Sequence, residues 1–328
     1  MNLHYLKNYL DVTEFDLPLK FSRIFGRDNA VFLEVGFGSG EFLVQKAVEN
    51  PEVDFLGVEL SMISAEKLLK SLARNSLENV RVLLIDASFA LVNIIPPDSI
   101  SGLYMNFPCP WPKKRHSSRR LNDTAFVQRI AAVLKPDGFF QLFSDSEEFV
   151  YEMMLSVNRT KLFDTLTLEE NPSSGAETRY EKKWLSMEKK IFRFYCRRNE
   201  RVVNIEEDVV HVSHLWLKEI DETQLGRLIG EDFSRDEVFV KFLGVYRSLE
   251  SEAFLIETLS VDRGFSQRFN INLSRREAGW LIQLDSQLRP IRTKAVRLAV
   301  KKLSSFIGKD QFEVERQSSR NSQQESGQ

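Results

Sequence analysis

The run Glu34-Val35-Gly36-Phe37-Gly38-Ser39-Gly40-Glu41 constrains this chain more than any other stretch. It ends the apolar segment VFLEV and opens directly into EFLVQKAVEN, where Phe42, Leu43, Ala47 and Val48 recur at helical spacing before Pro51. A strand that passes through a glycine turn into a helix has no hairpin partner, so the next strand comes back parallel to it. The unit then repeats. VDFLGVEL precedes a helix capped by Ser61, and VRVLLID precedes ASFALVNII, which stops at Pro96-Pro97. SGLYMNF leads through a proline-rich turn towards a helix over 124–135. After a Pro136-Asp137-Gly138 turn, GFFQLFSD precedes the helix SEEFVYEMMLSV. In KKIFRFYCRR the residues Ile191, Arg193, Tyr195 and Arg197 alternate with Phe192, Phe194 and Cys196, which suits a last strand. The expected fold is α/β: a doubly wound, mostly parallel sheet with helices on both faces.

A length of 328 residues predicts two domains with ample cores. Residues 1–30 read as a lead-in, with a helical turn at Phe21, Ile24 and Phe25, and 31–199 as the doubly wound domain. Over 200–316 the texture changes to the alternating runs VFVKFLGVYRS, AFLIETLSVDRG and WLIQLD, then a helix with Pro290 at its first position, a smaller C-terminal α+β domain. The tail, 317–328, is polar, has no apolar anchor and is expected to be disordered. A net charge of −2 means that any nucleic-acid contact comes from local clusters. Cys109 and Cys196 make neither a disulfide framework nor a zinc spacing, and no apolar run is long enough to span a bilayer. The expectation is a cytoplasmic protein without a metal or a membrane partner. The sequence leaves open whether it is a monomer or a homodimer.

The chemistry collects at strand ends. Gly36, Gly38 and Gly40 let the backbone approach a ligand closely, beside a helix N-terminus with free N–H groups. A dinucleotide site wants its third glycine where Glu41 stands, and a carboxylate there repels a pyrophosphate. Glu59 and Asp86 close the next two strands, where a ligand lying across the carboxyl edge meets them; one can take two ribose hydroxyls, the other an adenine amino group. With Glu34 before the glycines, this set fits a cationic nucleoside without phosphates, S-adenosylmethionine.

The second feature is YMNFPCPWPKKRHSSRRL, 104–121. Pro108, Pro110 and Pro112 are expected to hold Phe107, Cys109 and Trp111 extended. Lys113, Lys114, Arg115, His116, Arg119 and Arg120 follow, with no carboxylate between Asp98 and Asp123 to neutralise them, which reads as a polyanion site. Trp111 can stack on a base or anchor its own loop, and Asp145 can contact a base or cap the next helix.

Taken together, FLEVGFGSGEFL, GVEL, NFPCPWPKKRHSSRRL, LKPDG, FSDSEEF and ETRYEKK resemble the tRNA (guanine-N7-)-methyltransferase family, from about Phe21 to Arg198. The resemblance implies a Rossmann-like methyltransferase fold and transfer of a methyl group from S-adenosylmethionine to N7 of a guanine in the tRNA variable loop. By the same resemblance Glu34, Glu59 and Asp86, with Gly36, Gly38, Gly40 and Asn106, hold the cofactor. Lys113, Asp145, Thr178, Arg179 and Glu181 contact the guanosine, and Arg115, His116 and Arg119 fall on the cationic loop. Cys109 stands where the family has its catalytic aspartate. Two alternatives stay open: an amino-group methyltransferase of the same fold, because NFPCPW resembles Asn-Pro-Pro-aromatic turns, and a non-catalytic tRNA-binding relative.

Overall fold

The computed structural model describes residues 4–108, 121–172, 190–235, 238–308 and 311–312. By their contacts they fall into two units, Met1–Glu207 and Asp208–Gln328. In the first, strands β1 (Val31–Val35), β2 (Asp54–Glu59), β3 (Val80–Leu84), β4 (Ile100–Asn106), β5 (Leu134–Ser144), β6 (Phe163–Glu170) and β7 (Phe192–Arg198) form one sheet. Their order is β3-β2-β1-β4-β5-β7-β6. The first five strands are parallel, and β7 runs antiparallel between β5 and β6. The helices are α1 (Phe21–Phe25), α2 (Glu41–Glu49), α3 (Met62–Arg74), α4 (Ala87–Asn93), α5 (Thr124–Val133) and α6 (Glu147–Thr160). Chain order reverses between β1 and β4, and a doubly wound sheet opens a crevice at its carboxyl edge at that point.

The strands form because their apolar runs are buried on both faces. Leu33, Leu56, Leu83, Leu103 and Phe140 are fully buried, each contributing about 1.5–3 kcal/mol. The parallel sheet is the expected one, with local corrections. Phe42, Leu43 and Ala47 face the core from α2, but Val48 is 58% exposed, so the buried stripe is narrower than its apolar spacing implied. β6 was not foreseen: apart from Phe163 it is largely solvent-facing, and an edge strand lacks the apolar run that marks a buried one. The Pro136-Asp137-Gly138 turn is a bulge within β5, where pairing jumps from Leu134 to Phe139 and Asp137 takes φ +63°. The lead-in covers the other edge. Tyr9 bridges Val82, the Leu10 N–H donates to the Val82 carbonyl at 2.9 Å, and the Asn8 amide donates to the carbonyls of Leu77 and Val80.

The second unit is α+β. Strands β8 (Leu215–Leu217), β9 (Asp232–Arg235), β10 (Val238–Arg247), β11 (Ala253–Asp262), β12 (Phe265–Arg276), β13 (Gly279–Leu284) and β14 (Gln311–Phe312) make an antiparallel sheet of order β14-β8-β13-β12-β11-β10-β9. Helices α7 (Glu222–Leu228) and α8 (Lys294–Ile307) accompany it. Val240, Phe242, Ile256, Phe269, Ile271 and Ile282 form its core with Ala295, Val296, Ala299 and Leu303 of α8. Pro290 does not open that helix. Thr293 caps it, Asp262 Oδ1 accepts the Ala295 N–H at 2.8 Å, and the Lys294 N–H reaches the Asp208 carbonyl, so tertiary contacts fix its start. No helix among the described residues is long and apolar enough to cross a membrane.

Candidate cofactor site

The parallel strands bring their acidic ends to one edge. β1 carries Glu34, the next-to-last residue of the strand, which is 1% exposed. One of its oxygens, Oε1, accepts the Asn106 Nδ2–H from the end of β4 at 2.8 Å. The other, Oε2, is buried without a hydrogen-bond partner among the described residues. Burial, opposed by the Asn106 bond and reinforced by the charge of Glu59, pushes the Glu34 carboxyl from 4.5 up to about 8. The Tyr104 hydroxyl, also on β4, is pushed up to about 12 by burial and by Glu34.

The glycine turn after β1 is held from both sides. The Gly36 N–H donates to the Val58 carbonyl of β2 at 2.8 Å, and the Gly40 N–H to the Phe37 carbonyl at 2.8 Å. Both glycines take positive φ, but they serve different needs. Among the described residues a Cβ on Gly36 meets nothing within 4 Å, so that face is open; on Gly40 it falls 2.5 Å from Leu68 Cδ1 of α3. Gly38 is likewise open, and its N–H donates to Glu59 Oε2 at 3.1 Å. Glu59 Oε1 accepts the N–H groups of Leu60 and Ser61 at 2.8 and 3.0 Å. Glu59 therefore ties the glycine turn to the β2–α3 turn, and Oε2, with a single amide on it, keeps room for a hydroxyl. Asp86 lies two residues past β3, where its Oδ1 caps α4 by accepting the Phe89 N–H at 3.0 Å.

At β5, Ser146 rather than Asp145 caps α6, so the cap alternative for Asp145 falls away and that residue stands at the strand end. Phe107 departs from the extended form expected before Pro108. It has φ +49°, its N–H donates to the Phe143 carbonyl at 2.8 Å, and its ring stacks on Phe143. Contacts with β5 override the local preference there. Cys109, Lys113, Arg115, His116, Arg119, Thr178, Arg179 and Glu181 lie outside the described residues. The structure also shows what the strand-end reading passed over. Directly after Glu59, Leu60, Met62 and Ile63 are 68%, 71% and 67% exposed, a cluster of apolar side chains that the string ELSMI already spelled out.

A family profile described as a putative methyltransferase matches residues 28–194, within the first unit. The tRNA (guanine-N(7)-)-methyltransferase of Thermotoga maritima is 37% identical over 89% of this chain and 96% of its own. The chain belongs to the tRNA (guanine-N7-)-methyltransferase family. The Aquifex aeolicus enzyme of the same name is 30% identical over 84% of this chain and 93% of its own. Among solved structures, a 16S rRNA methyltransferase, KamB, aligns at 16% identity and TM-score 0.45, covering 55% of this chain and 92% of that one. Within the family the cofactor is S-adenosylmethionine, and the described residues fit it. The open faces at Gly36 and Gly38 leave volume beside the turn, and Glu34 Oε2, without a partner among the described residues, suits a cationic ligand. No group of three His, Cys, Asp or Glu among the described residues is placed to hold a metal.

Proposed function

We infer that this protein transfers the methyl group of S-adenosylmethionine to N7 of a guanine in tRNA, giving 7-methylguanosine. One observation carries this reading: the likeness to the Thermotoga maritima enzyme runs through both units and nearly the whole of that protein. Glu59 Oε2 and Asp86 Oδ2 would receive the nucleoside's hydroxyls and amino group, Leu60, Met62 and Ile63 offer the apolar wall that a purine needs, and Glu34 would face the cationic part. When bound, the cofactor supplies an electrophilic methyl group on a sulfonium. Guanine N7 presents an in-plane lone pair and carries no proton, so a general base is not required. The chain has to hold the base in line at near-attack distance and to stabilise positive charge as it moves onto the ring.

Asp145 at the end of β5, and Thr178, Arg179 and Glu181, are the residues we assign to the guanosine. Cys109 replaces the family's aspartate, so charge stabilisation rests on fewer carboxylates while orientation is kept. Lys113 is assigned to the guanosine as well, and Arg115, His116 and Arg119 to tRNA phosphates, with the reaction placed in the cytoplasm and the C-terminal α+β unit as an accessory to the methyltransferase unit. The test is incubation of unmodified tRNA with labelled cofactor, followed by nucleoside analysis. Label in 7-methylguanosine is the expected result. Label in another nucleoside overturns the N7 assignment, and no label despite tight tRNA binding leaves the non-catalytic relative.

A further inference from the structure

Glu34 has the geometry of half an ion pair. Its carboxyl group is buried, one oxygen is held by the Asn106 amide, and the other has no partner among the described residues. Of the elements around it, β2 contributes Glu59 and β4 contributes Tyr104, groups that add negative charge when ionised and so oppose ionisation of Glu34. A buried carboxyl group in such surroundings suits a cation, and without one it holds its proton well above the usual carboxylate range. Asn106 pulls the other way: an N–H donor on Oε1 stabilises the anion and fixes the plane of the carboxyl group, leaving Oε2 as the open acceptor.

We propose that Asn106 is a positioning residue that acts on the cofactor through Glu34, and that binding of S-adenosylmethionine is coupled to release of the Glu34 proton. This inference rests on the cofactor reading above. The cation entering the site replaces the proton on Glu34, and the proton passes to solvent. The contribution of Glu34 to affinity then rises with pH until Glu34 is ionised in the free protein, and is level above that point. The Asn106 bond sets where the levelling begins, because it favours the ionised form already in the free protein.

The experiment is calorimetric titration of the cofactor-free full chain with S-adenosylmethionine from pH 6 to 10, in buffers of different ionisation enthalpy. The cofactor's own α-ammonium loses its proton, and with it its charge, at about pH 8. A Glu34→Gln protein carries that contribution too, so the difference between parent and variant isolates Glu34. The parent should release up to about one proton more than Glu34→Gln at neutral pH, with affinity falling about tenfold per pH unit below its plateau relative to that variant. In Asn106→Ala the plateau should begin about one pH unit higher, giving roughly tenfold weaker binding at pH 7 and parent-like binding at the alkaline end. A role confined to structure would weaken binding by one factor at every pH, and that result overturns the proposal, as does equal proton release by parent and Glu34→Gln. Thermal melts of each variant show that the comparison is between folded proteins. Failure of the parent to bind at any pH overturns the cofactor reading itself, and this inference with it.

Discussion

Glu34→Gln should stabilise the cofactor-free protein at neutral and alkaline pH while leaving it nearly unchanged in acid. The unfolded chain loses the Glu34 proton near 4.5, whereas the folded protein keeps it to about 8. Between those values the native state binds more protons than the unfolded one, so stability falls as pH rises: the contribution is whole below 4.5 and is lost progressively up to about 8. At about 1.4 kcal/mol per pH unit, the loss is on the order of 3 kcal/mol at pH 7 and roughly 4–5 kcal/mol once both forms are ionised. Glutamine keeps the shape and the acceptor for Asn106 but never ionises, so its unfolded state gains nothing from alkali. Urea unfolding of parent and variant at pH 5, 6, 7 and 8, without cofactor, measures the difference, and every other titrating group cancels between them. Near-coincidence at pH 5 and a gap widening by about 1 kcal/mol or more per unit is the expected result. A gap constant across the series would refute the reasoning, since it would mean that Glu34 ionises alike in both states. Saturating S-adenosylmethionine should narrow the gap at pH 8, because the bound cation lets Glu34 ionise in place.

Glu59→Ala removes the acceptor of three backbone amides as well as the proposed hydroxyl contact, and should weaken cofactor binding by about tenfold or more in a direct titration. Gly40→Ala combines a left-handed backbone with a Cβ 2.5 Å from Leu68, and should cost about 2–5 kcal/mol in urea unfolding. Gly36→Ala, with open space at its Cβ, should cost only about 1–2 kcal/mol of stability yet lower cofactor affinity, because the methyl group enters the ligand's volume. Cys109→Asp should raise the rate of 7-methylguanosine formation by restoring a negative charge, and Cys109→Ala should change it little; a sharp loss in Cys109→Ser would point to a working thiolate instead.

What was legible in the sequence follows from locality. β1 to β5 and their helices could be read because apolar runs and helical spacing are written within a dozen residues. β6 could not, since an edge strand buries little and its string DTLTLEE carries no core signal. β12 is legible too, since Phe269, Ile271 and Leu273 alternate with polar residues at the spacing of a half-buried strand, yet it is absent from the runs read above. Pro290 and Phe107 misled for a shared reason. A proline's local preference yields to the Asp262 and Asp208 contacts that start α8 and to the Phe143 contacts that turn the chain after β4.

The site shows the same division more sharply. Parallel strands all end on one side of the sheet, so acids that close successive strands meet at one edge whatever lies between them in the chain. That is why Glu34, Glu59 and Asp86 could be grouped from their positions alone. Their states could not be read that way, because state depends on partners chosen across strands. Glu34 pairs with Asn106, far along the chain, and sits beside Tyr104 and Glu59. Glu59 holds three backbone amides that it gathers from two turns, while Asp86 caps α4. Three carboxylates that look alike at strand ends thus differ in chemistry: one buried with an open oxygen, one organising the turns, one capping a helix. A cationic cofactor would complete the first of them, and the pH dependence of its binding would distinguish that role from the other two.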